Sequence, residues 1–216
     1  MNTFVRLIHA AAVLVGLVTA SGRAVAQQSA NGAPLTPAAQ AKADSGRPPY
    51  TPADVHFMSG MISHHAQAVL MAGWAPSHGA NRAVAALCER IVVGQRDEIA
   101  FMQRWLRERN LPVPDASAAH DMMPGMEHML MPGMLTAEQL TQLDHARGVE
   151  FDRLFLAFMI MHHEGAITMV ERLFGANGAV RDENIFKFAS DVNADQTTEI
   201  DRMNLMLSEL PQRNQP

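Results

Sequence analysis

Residues 158–169 read FMIMHHEGAITM, an apolar run that carries two adjacent histidines with methionine on both sides. About a hundred residues earlier, residues 60–71 read GMISHHAQAVLM and have the same composition. Apolar residues recur around both motifs at the three- and four-residue spacing of a helix that buries one face. Each motif is therefore predicted to lie on a helix whose histidines interrupt or border the core-facing side.

The two motifs belong to an internal repeat. At a shift of 98 residues, seven positions match: Asp54, Phe57, Met61, His64, His65, Ala68 and Met71 with Asp152, Phe155, Met159, His162, His163, Ala166 and Met169. At a shift of 101, five more match: Gln95, Glu98, Ile99, Met102 and Leu106 with Gln196, Glu199, Ile200, Met203 and Leu207. Two similar helical hairpins, neither able to bury its apolar face alone, predict an all-α four-helix bundle with approximate two-fold symmetry.

Capping and breaking residues mark the ends of the predicted helices. Thr51 is placed to cap the first helix, which should run to Pro76. Thr136 and Gln139 form the pattern of a capping box for a short helix that Gly148 interrupts. The bundle domain is predicted over 51–210, with its other helices at about 81–109, 150–174 and 181–209. No alternating pattern of any length indicates strands.

The N-terminal segment has the features of an export signal. Arg6 precedes the apolar run 10–18, and small residues at 24–26 predict a signal peptide over 1–26 that is cleaved after Ala26. An uncleaved membrane anchor is the alternative. Residues 27–50 are rich in Ala, Pro, Gly and Gln and are predicted to form a flexible linker. The mature protein is then expected to be periplasmic or secreted, and free of the membrane.

Composition narrows the classes of partner and the chemistry. The formal net charge of −5 becomes more negative when Arg6 and Arg23 leave with the signal peptide, which argues against nucleic acid and anionic membranes as partners. Cys88 is the single cysteine, so an intrachain disulfide and a thiolate cluster are excluded. It is expected to be a small buried hydrophobic residue. The chain instead carries 16 methionines and 10 histidines.

The repeated His-His pairs predict a metal site. Their alternative is a set of hydrogen-bonded core histidines with methionine as filler, but burying four imidazoles without a shared ligand leaves many polar atoms to satisfy. Glu98 and Glu199 either orient the rings or are surface carboxylates, and the sequence leaves both open. The candidate ligands in the helices are Met61, His64, His65, Met71, Met159, His162, His163 and Met169.

The ligand types favour Cu(I), with Ag(I) as its mimic. A di-iron or di-manganese bundle needs Glu-x-x-His on two helices, and that spacing is absent. Zinc could bind the imidazoles but would not explain the methionines, whereas soft thioethers with imidazole suit Cu(I). Because ligating histidines must be neutral, copper affinity is expected to weaken as the pH falls through ~6.5.

The linker between the hairpins, residues 111–135, is rich in the same residue types. Its segment 120–134 reads HDMMPGMEHMLMPGM, in which MPGM occurs twice. Proline and glycine prevent a regular amphipathic helix, so the segment is predicted to be a metal-capture loop. A hydrophobic flap laid over the bundle is the alternative. The candidate ligands here are His120, Met122, Met123, Met126, His128, Met129, Met131 and Met134.

The pattern Phe57-x3-Met61-Ile62-x-His64-His65-x2-Ala68, followed by Gln95-x2-Glu98-Ile99-x2-Met102, resembles the ferritin-like proteins of domain-of-unknown-function family 305. The second half, from MPGM to FDRLFLAFMIMHHEGAITM, is similar to that of the longer members. The resemblance covers roughly residues 51–210. It implies an exported four-helix bundle, and the copper-binding members imply Cu(I) or Ag(I) ligation by the matching methionines and histidines.

The expected function is non-catalytic: to buffer or sequester Cu(I), or to pass it on to another copper-handling protein. Two other classes remain open. One is a redox enzyme with a copper or iron centre held in the bundle, although no nucleophile–base arrangement or cofactor fingerprint is present. The other is a metal-free interaction module whose methionine-rich segment binds a partner protein.

Overall fold

The computed structural model describes residues 46, 48–116 and 130–211 of the chain. The predicted signal peptide and nearly all of the predicted linker 27–50 lie outside the described residues, so both stay predictions.

Five helices are described, and four of them are long. They are α1 (Pro52–Gly73), α2 (Arg82–Glu108), the short α3 (Ala137–His145), α4 (Val149–Phe174) and α5 (Glu183–Glu209). No strand occurs in the described residues, so the prediction of an all-α bundle built from two hairpins is confirmed. None of the described helices has both the length and the apolar character needed to cross a membrane.

The predicted helix starts are observed. The Thr51 hydroxyl accepts a hydrogen bond from the Asp54 N–H while the Asp54 carboxylate accepts from the Thr51 N–H, and Thr136 and Gln139 form the same reciprocal pair. Helix α1 ends at Gly73 rather than at the predicted Pro76. A residue that precedes proline is disfavoured in helical conformation, so the chain leaves the helix ahead of the proline and forms turns.

Two repeat-matched aspartates tie each hairpin to the turn of the other. Asp152 at the start of α4 accepts from the Asn81 backbone N–H at 3.2 Å and from its side-chain amide at 2.8 Å. Asp54 at the start of α1 accepts from the Val180 N–H at 2.9 Å. Because these aspartates are buried, the contacts fix how the two hairpins pack and preserve the approximate two-fold symmetry.

The apolar core consists of two clusters at different levels of the bundle. Cluster A joins the first half of α1 to the second half of α4, for example Phe57 and Met61 with Ala166. Cluster B joins the second half of α1 to the first half of α4, for example Met71 with Phe155. The two helices are therefore antiparallel, and both His-His pairs lie between the clusters.

Candidate metal centre

The four histidines meet where α1 packs against α4. The ring centroids of His64 and His162 are 3.8 Å apart, and the neighbouring rings of each pair are 6.3 Å apart. All four side chains are 0% exposed. The structure thus brings both pairs into one region near the pseudo-two-fold axis, well within one helix diameter of ~10–12 Å.

Three of the rings have a partner at Nε2. His64 Nε2 lies 2.9 Å from the carbonyl oxygen of Pro132, and His163 Nε2 lies 2.8 Å from Glu199 Oε2. His65 Nε2 is 2.7 Å from Glu98 Oε2, an ion-pair distance, although its N–H does not point well enough at the oxygen for a hydrogen bond.

These contacts decide the alternative left open by the sequence: both glutamates contact the histidine rings. Glu98 and Glu199 are also 24% exposed in their side chains, so each joins a buried ring to the surface.

The partners also fix where the free lone pairs lie. A carbonyl or carboxylate oxygen accepts, so Nε2 of His64 and of His163 carries the hydrogen and Nδ1 of the neutral ring is left as an acceptor. Within the described residues, Nδ1 of all four histidines has no hydrogen-bond partner, and His162 has none at Nε2 either. Buried polar atoms are rarely left unpaired, so this donor set fits a ligand such as a metal ion.

Burial keeps the central pair neutral. Desolvation, followed by the charges of His65 and His163, lowers the pKa of His64 to about 3, although the Pro132 carbonyl acts in the opposite direction. Desolvation and the other three histidines lower the pKa of His162 well below its ordinary value, against a smaller opposing contribution from the His64 backbone. The expected loss of copper affinity near pH 6.5 therefore moves to lower pH for these two rings.

The methionines do not converge on the same point as the histidines. Met61 and Met169 belong to cluster A, whereas Met71 and Met159 belong to cluster B. The repeat makes all four methionines candidate ligands beside the histidines, and the structure places them in two clusters on opposite sides of the histidine layer. At ~1.5 Å rise per residue, a methionine seven positions from a histidine lies about 10 Å along the helix.

Of these four methionines, Met61 and Met159, three residues before His64 and His162, are therefore the nearest in level to the rings, one on each side.

The end of the inter-hairpin linker crosses the bundle as a strap, residues 131–135. The Gln67 side chain donates to the Leu135 carbonyl at 3.0 Å and accepts from its N–H at 2.7 Å. Gly133 has φ of +75°, and a Cβ there would lie 2.5 Å from the Met161 carbonyl oxygen. A Cβ at Gly165 would overlap the Pro132 carbonyl. The two glycines let the strap backbone lie directly on α4 and reach His64.

The second MPGM motif lies against the bundle, and metal binding by its methionines stays a prediction. Met134 is only 8% exposed and Met131 is partly buried, so this part of the linker behaves as the flap that was the alternative. The other candidate ligands of the linker lie outside the described residues, namely His120, Met122, Met123, Met126, His128 and Met129.

A cavity open to solvent lies beside the strap. It has a volume of about 110 Å³ and is lined in part by His56, Met131 and Met169. A Cβ at Gly60 would be 2.9 Å from Met131 Sδ and 3.5 Å from the Met169 methyl group, so both thioethers lie against this glycine. His56 carries no signal in the sequence, because it is exposed and has no matching histidine in the second hairpin. The strap brings Met131 beside it, and the packing of α4 on α1 brings Met169.

No group of three or more His, Cys, Asp or Glu side chains in the described part of the chain is arranged to hold a metal ion. The donors that do lie close together are imidazole nitrogens with thioethers at neighbouring levels. Soft monovalent ions accept such donors in linear or trigonal arrangements, so this set suits Cu(I) or Ag(I) better than ions that need several charged ligands.

Fold and site define an all-α, ferritin-like four-helix bundle with a buried layer of paired histidines. The chain belongs to the DUF305 family: the family model, "Domain of unknown function (DUF305)", matches residues 54–207. The resemblance inferred from the sequence is thus confirmed. No curated protein sequence matches the chain.

Solved structures share this fold. A DUF305 fragment from Deinococcus radiodurans is 28% identical, with a TM-score of 0.64 over 76% of this chain and 100% of that one. A DUF305 protein from Streptomyces coelicolor, classed as a candidate secreted protein, is 25% identical, with a TM-score of 0.61 over 73% of this chain and 93% of that one. CopM in its Cu(II)-bound form is 28% identical, with a TM-score of 0.57 over 72% and 95%. CopM has also been solved with Cu(I) and with Ag.

Proposed function

We propose that this protein is an exported, non-catalytic copper-binding protein that buffers or sequesters Cu(I), or passes it on, and that also accepts Ag(I). The observation that carries the proposal is the buried layer of four imidazoles, with Nδ1 of every ring free of a partner in the described residues. An unpaired buried polar atom costs about 1–3 kcal/mol. Because several such nitrogen atoms lie together here, a metal ion that binds them would recover this cost.

The chain's own groups suit this role. Glu98, Glu199 and the Pro132 carbonyl lie against Nε2 of three rings, and Nδ1 of each of these rings has no hydrogen-bond partner in the described residues. Outer partners of this kind orient metal-binding histidines and increase their basicity. The low pKa values of His64 and His162 keep both rings in the neutral form that a metal requires. Met61 and Met159 add a soft donor on either side.

The solvent-open cavity at His56, Met131 and Met169 offers a place where an ion can be taken up before it reaches the buried layer. Its donors are of the same soft and borderline types, and Met131 belongs to the strap that covers His64. A Cu(I) ion held there would need only a displacement of the strap to approach the central histidines. The relatives that support the proposal are the copper- and silver-bound CopM structures and, for export, the Streptomyces protein.

The test is an anaerobic Cu(I) titration against a competing chelator for wild type and His162→Leu. Neither ring nitrogen of His162 makes a well-aligned hydrogen bond within the described residues, and the contribution of the His64 backbone to its pKa is small. An apolar side chain of similar size should therefore leave the metal-free protein as stable as wild type or more so. Loss of one neutral ligand should weaken Cu(I) binding by about two decades, since each decade is about 1.4 kcal/mol.

His78→Leu is the matched control. His78 is also buried, but its ring contacts Ser77 Oγ and the Asp144 carbonyl, so its loss should lower the melting temperature and leave Cu(I) affinity unchanged. If His162→Leu binds Cu(I) as wild type does, the histidine layer is not the copper site and the proposal fails.

A further inference from the structure

A groove open to solvent lies between α2 and α5, next to the glutamates that contact His65 and His163. It has a volume of about 270 Å³, and its polar lining comes from the repeat-matched residues Gln95 and Glu98 on α2 and Gln196 and Glu199 on α5, with Asp195 beside them. Both helices thus present the same Gln-x-x-Glu pair to one space. None of these groups is a thioether.

The two glutamines are buried without adequate partners. Gln95 is 4% and Gln196 is 3% exposed. Oε1 of Gln95 and both amide atoms of Gln196 have no hydrogen-bond partner in the described part of the chain. A buried side-chain amide normally has hydrogen-bond partners. Two amides that lack them and line one groove therefore indicate a ligand that binds oxygen donors.

The carboxylates crowd one another. Glu98, Asp195 and Glu199 line the same groove, so three carboxylates face one space. Two arginines, at 90 and 202, also line the groove, but no arginine in the described ranges forms an ion pair with Glu98, Asp195 or Glu199. A cation between the carboxylates would relieve this repulsion.

We propose that the groove is a binding site for a hard divalent cation, held by the carboxylates of Glu98 and Glu199 and the amide oxygens of Gln95 and Gln196. Carboxylate and amide oxygens are the donors that Ca²⁺ and Mn²⁺ prefer. The site differs in ligand class from the soft His and Met donors, and its test needs no copper. Glu98 and Glu199 are partly exposed, so their side chains have the freedom to turn towards a shared ion.

The groove and the histidine layer share Glu98 and Glu199. Each carboxylate places Oε2 against a ring nitrogen, of His65 and His163 respectively. A cation that draws on these carboxylates must change the surroundings of both rings. Groove occupancy is therefore expected to be visible in the ring signals of His65 and His163, and this provides a readout that needs no copper.

The experiment is a Mn²⁺ titration of the metal-free full chain, followed by electron paramagnetic resonance of the unbound ion. The wild type should bind Mn²⁺, and Ca²⁺ should compete. Glu98→Gln with Glu199→Gln retains an acceptor for each histidine but removes both charges, and should weaken Mn²⁺ binding at least tenfold. Glu171→Gln with Glu183→Gln changes the net charge equally at exposed sites outside the groove and should bind as wild type does.

Two further measurements keep the test decisive. If the double glutamate variant does not fold, Gln95→Leu with Gln196→Leu replaces it and should show the same loss. In proton NMR, substoichiometric Mn²⁺ should broaden the ring signals of His65 and His163 before those of His145, at the end of α3. Absence of Mn²⁺ binding to wild type, or equal binding by the groove and control variants, overturns the proposal, whatever the Cu(I) titration gives.

Discussion

Replacing Gly165 by alanine should displace the strap from α4 and from the histidine layer. Gly165 lies within α4, where alanine is normally preferred by about 1 kcal/mol over glycine. At this position, however, the added Cβ would overlap the Pro132 carbonyl and lie 2.6 Å from the Gly133 Cα. These neighbours are backbone atoms, so the strap as a whole must move away from α4.

The structure gives the magnitude. Displacement of the strap removes the His64–Pro132 hydrogen bond and both bonds between Gln67 and Leu135, at about 1 kcal/mol each. The gain in helix propensity of about 1 kcal/mol offsets the loss of one of these three hydrogen bonds. Leu135 is fully buried, and its partial exposure adds up to about 2 kcal/mol. Gly165→Ala should therefore destabilise the protein by about 2–4 kcal/mol.

The assay is urea unfolding followed by circular dichroism. Gly94→Ala is the matched control, because Gly94 is also within a helix but a Cβ there would meet nothing within 4 Å. That variant should be more stable than wild type by up to about 1 kcal/mol. The same substitution is thus expected to act in opposite directions at the two positions. A Gly165→Ala protein as stable as Gly94→Ala would refute the close packing of the strap on α4.

Three further predictions concern buried ionisable groups. Below pH 6.5 the unfolded chain protonates His64 and His162 while the folded protein does not, down to about pH 3 in the case of His64. The free energy of unfolding should therefore fall with pH by about 1.4 kcal/mol per unit for each ring in that range, measured by urea unfolding at successive pH values. Burial, followed by the charge of Asp152, raises the pKa of the Cys88 thiol to about 12. The thiol should therefore not react with Ellman's reagent at pH 8 until the protein is unfolded. Rapid labelling of the native protein would contradict the burial of Cys88. Asp182→Ala removes the close carboxylate partner of the buried Arg109 and leaves only the exposed Glu108, 3.9 Å away. It should lower the free energy of unfolding by about 3–5 kcal/mol, whereas a change below about 1 kcal/mol would exclude the ion pair as a structural link.

Local sequence patterns were enough to predict the helices and their pairing into hairpins. Capping signals such as Thr51 and Thr136 act within one turn of backbone, so their effect can be read without knowledge of the fold. The 98-residue repeat from Met61 to Met159 also predicted the approximate symmetry, because two copies of one amphipathic hairpin bury their apolar faces against each other. The positions of the His-His pairs in the core follow from the same periodicity.

What the sequence could not determine are contacts between residues distant in the chain. Helical rise alone places Met61 and Met71 about 15 Å apart along α1. Only the antiparallel packing of α1 on α4 decides that Met61 shares a cluster with Met169, and Met71 with Met159. The strap required a backbone-to-backbone approach at Gly165, which periodicity does not encode. Likewise, Glu98 became a partner of His65 only when α2 packed on α1, because hydrogen bonds and ion pairs depend on distances of a few ångströms that tertiary packing alone sets.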